Sequence, residues 1–255
     1  MLRTLWTAFT ALWVTIVAGS SVLAVATVRS TSRLIDLLIR WWARTIVRAA
    51  GIELSLDGAE RIDPQQRYIL VANHYSYFDI PCVLAAVEQP IRFLAKVSLF
   101  KIPIFGWAIG RAGFIPIDRK NRRTAVKSFD LAAERIRKGN TIVVFPEEGR
   151  SKYRLMRKFQ RGGFLLAMKS GLPILPLAID GTYDVFRVGA TRITPAKVVV
   201  RVGTPIATEG RSVREKDQLA VAARTQIAAM LGIEAAEADG PATTTEAAAA
   251  LPPSS

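Results

Sequence analysis

The sequence has one histidine and one cysteine among its 255 residues. A single cysteine excludes an intrachain disulfide and any zinc site built on cysteine pairs. Cys82 lies in the apolar run DIPCVLAAV, which is more typical of a small buried side chain than of a nucleophile. The single histidine, His74, is the one side chain whose unperturbed pKa lies near neutrality. Acid–base chemistry at neutral pH therefore has one obvious candidate.

Acidic residues are also few. The 35 lysines and arginines outnumber the 21 aspartates and glutamates, which gives a formal charge of +14. This balance favours an anionic partner: nucleic acid, anionic lipid or a phosphorylated substrate. Half of the residues are apolar, which is enough for a sizeable core in one large domain or two small ones.

Charged residues are absent from positions 4–28, a stretch long enough to span a bilayer as a helix. A cleaved signal peptide is the alternative, because Ala24-Val25-Ala26 resembles a cleavage site, but the apolar region of a signal peptide usually has about 7–15 residues. One arginine precedes the stretch and five follow it by position 48. The positive-inside rule therefore predicts a main domain that faces the cytoplasm.

Residues 31–50 form a second, basic amphipathic helix in this interpretation, with tryptophan and leucine at helical spacing and arginines between them. Such a helix either lies in the membrane interface or packs on the core, and the apolar stretch just before it favours the interface. Residues 1–50 are thus predicted to be a membrane-anchoring unit and residues 51–233 the main domain. Residues 234–255, rich in Ala, Thr, Pro and Ser, are typical of a disordered tail.

Short β-branched runs alternate with longer mixed stretches from residue 51 onwards, which is typical of an α/β domain. Several runs are almost continuously apolar, as expected for central strands covered on both faces. The predicted fold is a single α/β domain with a mostly parallel or mixed sheet of about seven strands flanked by helices. Strands are predicted at 52–56, 67–72, 91–95, 113–117, 141–145, 173–179 and 197–202, and helices at 79–88, 122–138, 162–170 and 212–231.

Polar residues follow three of these strands, in the segments NHYSYFD (73–79), DR (118–119) and EEGRS (147–151). Ligands of open α/β sheets bind at the carboxyl ends of strands. If the turn after His74 folds back, Asp79 can hold one imidazole nitrogen and leave the other free to accept a proton. On spacing alone, a structural histidine beside a helix-capping aspartate explains the pair at least as well. A solvated basic loop likewise explains the residues around 150.

These segments resemble four blocks of the glycerolipid acyltransferases, and most closely those of bacterial 1-acylglycerol-3-phosphate (lysophosphatidic acid) acyltransferases. NHYSYFD is similar to their NHxxxxD block and IPIDR (115–119) to their second block. VFPEEGRS (144–151) is similar to the third, FPEGTRS, and LPLAI (175–179) to the fourth. There is one departure, because Glu148 stands where glycine is usual and Gly149 where threonine is usual.

The resemblance implies that a fatty acyl group passes from acyl-CoA or acyl carrier protein to the free hydroxyl of 1-acylglycerol 3-phosphate, giving phosphatidic acid. His74 would be the general base and Asp79 its orienting partner. No metal and no cofactor beyond the acyl donor is expected, and backbone amides near His74 are the default donors to the oxyanion. The residues expected to bind the acceptor phosphate are Arg119, Glu147 and Arg150, with Asn73, Gly149 and Ser151 in support.

Other functions remain open at this point. The acceptor could instead be glycerol 3-phosphate, another lysophospholipid or a lipid alcohol. A non-enzymatic, membrane-tethered anion-binding protein would also use the basic charge, but a nucleic-acid binder should carry aromatic residues among exposed cations. A metal-dependent phosphohydrolase is disfavoured by the single histidine. The expected partners are membrane lipid, lysophosphatidate and the thioester donor, without nucleic acid, at the cytoplasmic side of the cell (inner) membrane.

Overall fold

The computed structural model describes residues 1–28, 32–118 and 122–233. The predicted tail, 234–255, lies outside these residues. Three short 3₁₀ helices cover Ala59–Arg61, Val97–Lys101 and Val213–Glu215. The other elements, in chain order, are α1 (Leu2–Val28), α2 (Arg33–Ala50), β1 (Glu53–Asp57), β2 (Ile69–Ala72), α3 (Asp79–Ala86), β3 (Ile91–Lys96), α4 (Phe105–Ala112), β4 (Ile115–Ile117), α5 (Arg122–Arg137), β5 (Thr141–Val144), α6 (Gly162–Ser170), β6 (Ile174–Asp180), α7 (Thr182–Phe186), β7 (Lys197–Val202) and α8 (Lys216–Leu231).

The seven strands form one mixed sheet in the order β1-β7-β6-β2-β5-β3-β4. Five neighbouring strands, from β6 to β4, are parallel to one another. Strand β7 runs antiparallel to β6, and β1 pairs with β7 in parallel. Strands β2 and β5 are buried along their whole length, as their continuous apolar runs predicted. The predicted α/β fold with a seven-stranded mixed sheet is confirmed.

Helices cover both faces of the sheet, and the alternation of side chains along each strand builds two cores. In β2, Leu70 and Ala72 join the core beneath α2 and α3. Ile69 and Val71 point to the opposite core, which contains side chains of α6 and α8. Cys82 on α3 is fully buried in the first core, and burial raises the pKa of its thiol. Its predicted role as a small core side chain agrees with this environment.

Helices α1 and α2 pack side by side and antiparallel. Thr7 near the start of α1 donates to the carbonyl of Ala49 at the end of α2, and the Trp42 indole donates to Thr15 at 2.9 Å. Helix α1 is long and apolar enough to cross a membrane. It buries one face against α2 and α4, while a second apolar face stays exposed, formed by Leu2, Leu5, Trp6, Phe9, Leu12, Trp13 and Ile16. Together with the apolar composition of α1, this uncovered face indicates membrane association.

Helix α2 packs one face on the domain and leaves other apolar side chains exposed. Ile35, Ala43 and Val47 are buried against the domain, so one face packs on the core. Leu34, Leu37 and Trp41 remain exposed on the rest of the helix. Ser32 caps its first turn by accepting from the Leu34 amide, and Gly51 ends it in the left-handed region at φ 72°.

Candidate active site

The carboxyl ends of three neighbouring strands, β6, β2 and β5, meet at one edge of the sheet. Asn73 directly follows β2, and its buried side-chain amide extends the pairing with β6. The Asn73 Oδ1 accepts from the Ile179 amide at 2.7 Å, and its Nδ2 donates to the Ile179 carbonyl at 2.9 Å. Asn73 therefore fixes the direction in which the chain leaves β2 towards His74.

His74 and Asp79 lie together, because α3 begins at Asp79 and the turn between them folds back. The Nδ1 of His74 is 2.7 Å from the Oδ2 of Asp79. The same oxygen accepts from the amides of Tyr75 and Ser76, and the other oxygen accepts from the Thr182 hydroxyl. These four donors compensate a fully buried carboxylate for its lost hydration.

The imidazole ring is fixed from its face as well as from its edge. It stacks on Phe145, with ring centroids 4.1 Å apart and planes 14° from parallel. Its side chain is 15 % exposed, whereas that of Asp79 is fully buried. With Nδ1 donating to Asp79, Nε2 keeps its lone pair and has no hydrogen-bond partner among the described residues. The pair can therefore take a proton at Nε2 while Asp79 stabilises the resulting imidazolium.

Glu147 lies directly behind His74 and is almost completely buried, at 2 % exposed. Its Oε1 accepts from the His74 amide at 2.8 Å, and its Oε2 accepts from the Arg157 amide at 2.9 Å. Burial raises the pKa of Glu147 to about 7, although the two amide bonds oppose the shift. Because both oxygens are engaged by backbone, Glu147 is placed to hold two loops together. This geometry disagrees with its predicted contact to the acceptor phosphate.

The loop after β5 turns sharply at Glu148, the position where the similar third block usually has glycine. The Glu148 amide donates to the Phe145 carbonyl, and Glu148 itself has φ 57°. Glycine adopts this left-handed conformation without strain, whereas a side chain costs roughly 1–2 kcal/mol. The left-handed backbone at this exposed position explains why glycine is usual there.

The other supporting residues of this loop also find local roles. The Ser151 amide donates to the His74 carbonyl at 2.9 Å, so this loop holds the histidine backbone at both its amide and its carbonyl. Gly149 lies close to Arg157, where a Cβ would come within 3.0 Å of the Arg157 Nη1. A side chain at position 149 would therefore crowd that guanidinium.

Arg150 lies beside the turn that connects His74 and Asp79. Its guanidinium carbon lies 3.4 Å from the centroid of the Tyr77 ring, and Tyr77 is 60 % exposed. Tyr77 belongs to the segment between His74 and Asp79, so Arg150 contacts the turn that also carries the imidazole. Arg119 lies outside the described residues. Strand β4, which precedes it, is three strand spacings from β2, or about 14 Å.

The expected oxyanion donors are already engaged. The amide of His74 donates to Glu147, and those of Tyr75 and Ser76 donate to Asp79. These three amides therefore have no N–H left for an oxyanion in this conformation. Each is used to hold a carboxylate that positions the histidine.

An apolar cavity of about 100 Å³ lies between α1, α3, α4 and β3. Phe93 lines the cavity and stacks on Phe145 at 5.6 Å, and Phe145 in turn stacks on His74. Two aromatic rings therefore separate the cavity from the imidazole. Other residues on the cavity wall are Gly19, Leu84, Phe105, Ala108 and Phe114.

Sequence reasoning missed Phe145, Tyr77 and Thr182. Phe145 and Tyr77 lie inside segments that were already singled out, but nothing in their spacing indicates a ring under the imidazole or a guanidinium on the tyrosine. Thr182 lies two residues beyond β6, the strand of the fourth block, and its contact with Asp79 spans 103 positions. Only the adjacency of β2 and β6 in the sheet brings these two together.

The family model for acyltransferases matches residues 53–180. A 1-acyl-sn-glycerol-3-phosphate acyltransferase of Pseudomonas aeruginosa is 31 % identical over 186 residues, which are 71 % of this chain and 70 % of that protein. A chloroplastic enzyme of the same description from Brassica napus is 34 % identical over 49 % of this chain and 36 % of its own length. The chain spans between about a third and just over half of the first curated relatives that it matches.

A solved structure is also similar over nearly the whole chain. The crystal structure of the 1-acyl-sn-glycerophosphate acyltransferase PlsC from Thermotoga maritima superposes with a TM-score of 0.75 at 28 % identity. The superposition covers 93 % of this chain and 97 % of that one. The likeness therefore includes the N-terminal helices as well as the sheet.

Proposed function

The chain belongs to the acyltransferase family, and from this membership we propose that it transfers a fatty acyl group from a thioester to the free hydroxyl of 1-acylglycerol 3-phosphate. The product is phosphatidic acid, and the donor is acyl-CoA or acyl carrier protein. One observation carries the proposal: an imidazole whose Nδ1 is bound by a buried carboxylate stands two rings away from an apolar cavity. That arrangement suits proton transfer beside an acyl chain.

In the proposed reaction, Nε2 of His74 takes the proton of the acceptor hydroxyl as its oxygen attacks the thioester carbonyl carbon. The new carbon–oxygen bond forms, and the carbonyl π electrons move to the oxygen. When the intermediate collapses, the carbon–sulfur bond breaks and His74 returns the proton to the departing sulfur. Asp79 remains ionised throughout and stabilises the imidazolium between these two steps. No acyl-enzyme, metal ion or cofactor enters this scheme.

Arg150 is the proposed contact for the acceptor phosphate, because its guanidinium can match two phosphate oxygens and lies beside the histidine turn. Arg119 is proposed for the same role on the strength of the second block alone. Glu147 is assigned to positioning: it connects the amides of His74 and Arg157 and thereby sets the distance between the base and the phosphate-binding loop.

The acyl chain of the donor or acceptor is proposed to enter the apolar cavity. The exposed face of α1, which includes Leu5, Trp6, Phe9 and Trp13, would contact the membrane from which the lysophosphatidate comes. The five arginines that follow the apolar stretch favour the cytoplasmic side of the cell (inner) membrane.

The direct test is an assay of the purified full-length protein with a panel of acceptors and both thioester donors, with products identified by mass spectrometry. We expect phosphatidic acid from 1-acylglycerol 3-phosphate as the preferred product. Faster acylation of glycerol 3-phosphate, of another lysophospholipid or of a lipid alcohol would replace the acceptor and keep the chemistry. Absence of acyl transfer to any acceptor, with thioester and folded protein present, would reject the proposal.

A further inference from the structure

A second cavity lies at the opposite edge of the sheet from His74. It has a volume of about 630 Å³ and is bordered by α2, by the residues around the start of β3 and by the turn before β5. Pro90 and Asn140 stand at the amino ends of β3 and β5, whereas His74 and Glu147 follow the carboxyl ends of β2 and β5. Because these strands are parallel, the length of a strand separates this cavity from the candidate active site.

Cations dominate the wall of this basic cavity. Two of them are compensated within the wall: buried Arg92 is 2.7 Å from Asp36, and Arg40 is 3.9 Å from Glu88. Five cations face two carboxylates, which leaves a net charge of +3 (5 − 2). The charged residues that line the cavity are Arg33, Asp36, Arg40, Arg44, Glu88, Arg92 and Lys138.

Two of these cations, Arg33 and Arg44, are exposed to solvent. Arg33 and Arg44 have neither an ion pair nor a side-chain hydrogen bond in the part of the chain that the structure describes. Lys138 pairs with Glu134 at 2.6 Å, but that pair is about 40 % exposed on both sides and competes with water. The spacing of Arg33, Arg40 and Arg44 puts all three on one stripe of α2. They therefore line one side of the cavity over three turns of α2, or about 16 Å.

Guanidinium groups without partners in a polar cavity match phosphate oxygens, which they bind in pairs. A cavity of several hundred cubic ångströms accepts a headgroup-sized ligand. Leu37 also lines this cavity and is 51 % exposed, and Leu34 beside it is 56 % exposed. Apolar side chains at the mouth of a basic cavity suit a ligand that carries both a phosphate and acyl chains.

We propose that this basic cavity binds phosphate groups, with Arg33 and Arg44 as its principal contacts. An anionic phospholipid headgroup is the source that the exposed leucines of α2 favour, and a soluble phosphate is the other source of the same chemistry. The site is separate from the acceptor contact at Arg150, and its occupancy can be measured without any acyl transfer. A failure here is therefore distinguishable from a failure of the proposed function.

The first test is chemical protection of the two arginines. The full-length protein, in nanodiscs of phosphatidylcholine alone or of phosphatidylcholine with phosphatidylglycerol, is treated with phenylglyoxal and each arginine is followed by mass spectrometry. We expect slower modification of Arg33 and Arg44 with phosphatidylglycerol, and an unchanged rate at Arg214, which is exposed and remote. A third arm adds inorganic phosphate to the neutral nanodiscs. Protection in that arm assigns the site to soluble phosphate, whereas equal rates in all three arms overturn the proposal.

The second test separates this cavity from general charge attraction. The ratio of vesicle affinities with and without phosphatidylglycerol should fall roughly 30-fold in the Arg33→Gln/Arg44→Gln variant, since each basic residue near an anionic surface contributes about a five-fold factor. The matched variant Lys169→Gln/Arg214→Gln removes the same charge elsewhere and should change the ratio little. In Arg33→Lys/Arg44→Lys the charge stays but the planar forks are lost, so the ratio should still fall several-fold. A wild-type ratio in the lysine variant, or equal losses in both glutamine variants, would overturn the proposal.

Discussion

At the scale of single residues, two buried carboxylates organise the site without being exposed to solvent. The Asp79 carboxylate accepts hydrogen bonds from the imidazole, two backbone amides and the Thr182 hydroxyl. The Glu147 carboxylate accepts hydrogen bonds from the His74 amide and from the Arg157 amide, and so connects the two loops. Each interaction fixes the histidine backbone or ring before any substrate binds, which is the precondition for efficient proton transfer.

Arg150→Ala should raise the KM for the acceptor and leave the KM for the thioester donor nearly unchanged. A hydrogen bond to a charged group contributes roughly 1.5–3 kcal/mol, so the expected rise is about 10- to 150-fold. Arg150→Lys should recover part of the loss, because an ammonium keeps the charge but not the planar fork. Steady-state kinetics measure both constants, and Lys152→Ala, a neighbouring exposed cation, is the control. A rise in the donor KM with an unchanged acceptor KM would assign Arg150 to the other substrate.

Glu147 makes the stability of the fold depend on pH in a predictable direction. Its pKa is raised from 4.5 to about 7, so the folded state holds the proton more tightly than the unfolded state. This contribution to stability is fully present below pH 4.5 and is lost as pH rises through about 7, with a size on the order of a few kcal/mol. Thermal unfolding in detergent across this range should show a pH-dependent component that Glu147→Gln abolishes and Glu148→Gln, at the exposed neighbour, retains. An identical pH profile in wild type and Glu147→Gln would contradict the burial argument.

At the scale of elements, the sequence predicted all seven strands, because β-branched apolar runs between polar turns have few other interpretations. It missed α4, whose sequence FGWAIGRA contains two glycines and follows Pro103 closely, so its intrinsic preference for helix is poor. Packing explains this helix: a Cβ at Gly106 would come within 2.5 Å of the Phe100 backbone, so only glycine allows the approach. The local spacing of residues does not indicate this packing.

The candidate site likewise has parts that the sequence could predict and parts that it could not. His74 and Asp79 could be predicted to meet because they are five residues apart on a turn into a helix. The burial of Glu147 could not be predicted, since its position in the chain equally suits a ligand contact. Whether its side chain turns inward depends on the Arg157 loop, ten residues later.

Gly19 of α1 lines the apolar cavity and lies against the first turns of α4. A Cβ added there would lie 2.9 Å from the Ile104 Cγ2 and 3.6 Å from the Ala108 Cβ. If the cavity holds an acyl chain, Gly19→Val should lower kcat/KM for long-chain thioesters relative to short-chain ones by roughly ten-fold or more. A chain-length series of acyl-CoA donors measures this ratio. Ala24→Val, at an exposed position of the same helix, should leave the ratio unchanged, and an equal loss at every length would remove the cavity from the acyl site.

At the scale of the whole molecule, the two edges of the sheet carry different chemistry. One edge holds the histidine and the arginine loop, and the other holds the basic cavity. The α1–α2 hairpin runs between them, because the end of α2 leads into β1 at the first edge and the start of α2 borders the basic cavity at the other. Apolar side chains along this hairpin let one membrane surface contact the molecule over its length.

The proposed orientation can be tested with the single-cysteine background that the chain offers. Cys82 is fully buried, so labelling of the native protein by a membrane-impermeant maleimide should be low. A Lys169→Cys variant adds an exposed thiol on the main domain. We expect it to be labelled in inverted membrane vesicles and protected in intact spheroplasts, and the protein to stay with membranes after carbonate extraction. Labelling in intact spheroplasts, or release by carbonate, would contradict a membrane-bound domain on the cytoplasmic side.

The central claim, that His74 moves the proton of the acceptor hydroxyl, is tested most directly by the kinetics of His74→Ala with 1-acylglycerol 3-phosphate. The amides of Tyr75 and Ser76 and the Thr182 hydroxyl still bind Asp79 in this variant, so the turn should remain folded, which circular dichroism and the unfolding temperature can verify. Loss of general-base catalysis typically lowers the rate by about 10²–10⁴-fold. We therefore expect kcat to fall by that factor with little change in the acceptor KM. A folded His74→Ala protein with near-normal kcat would contradict the mechanism.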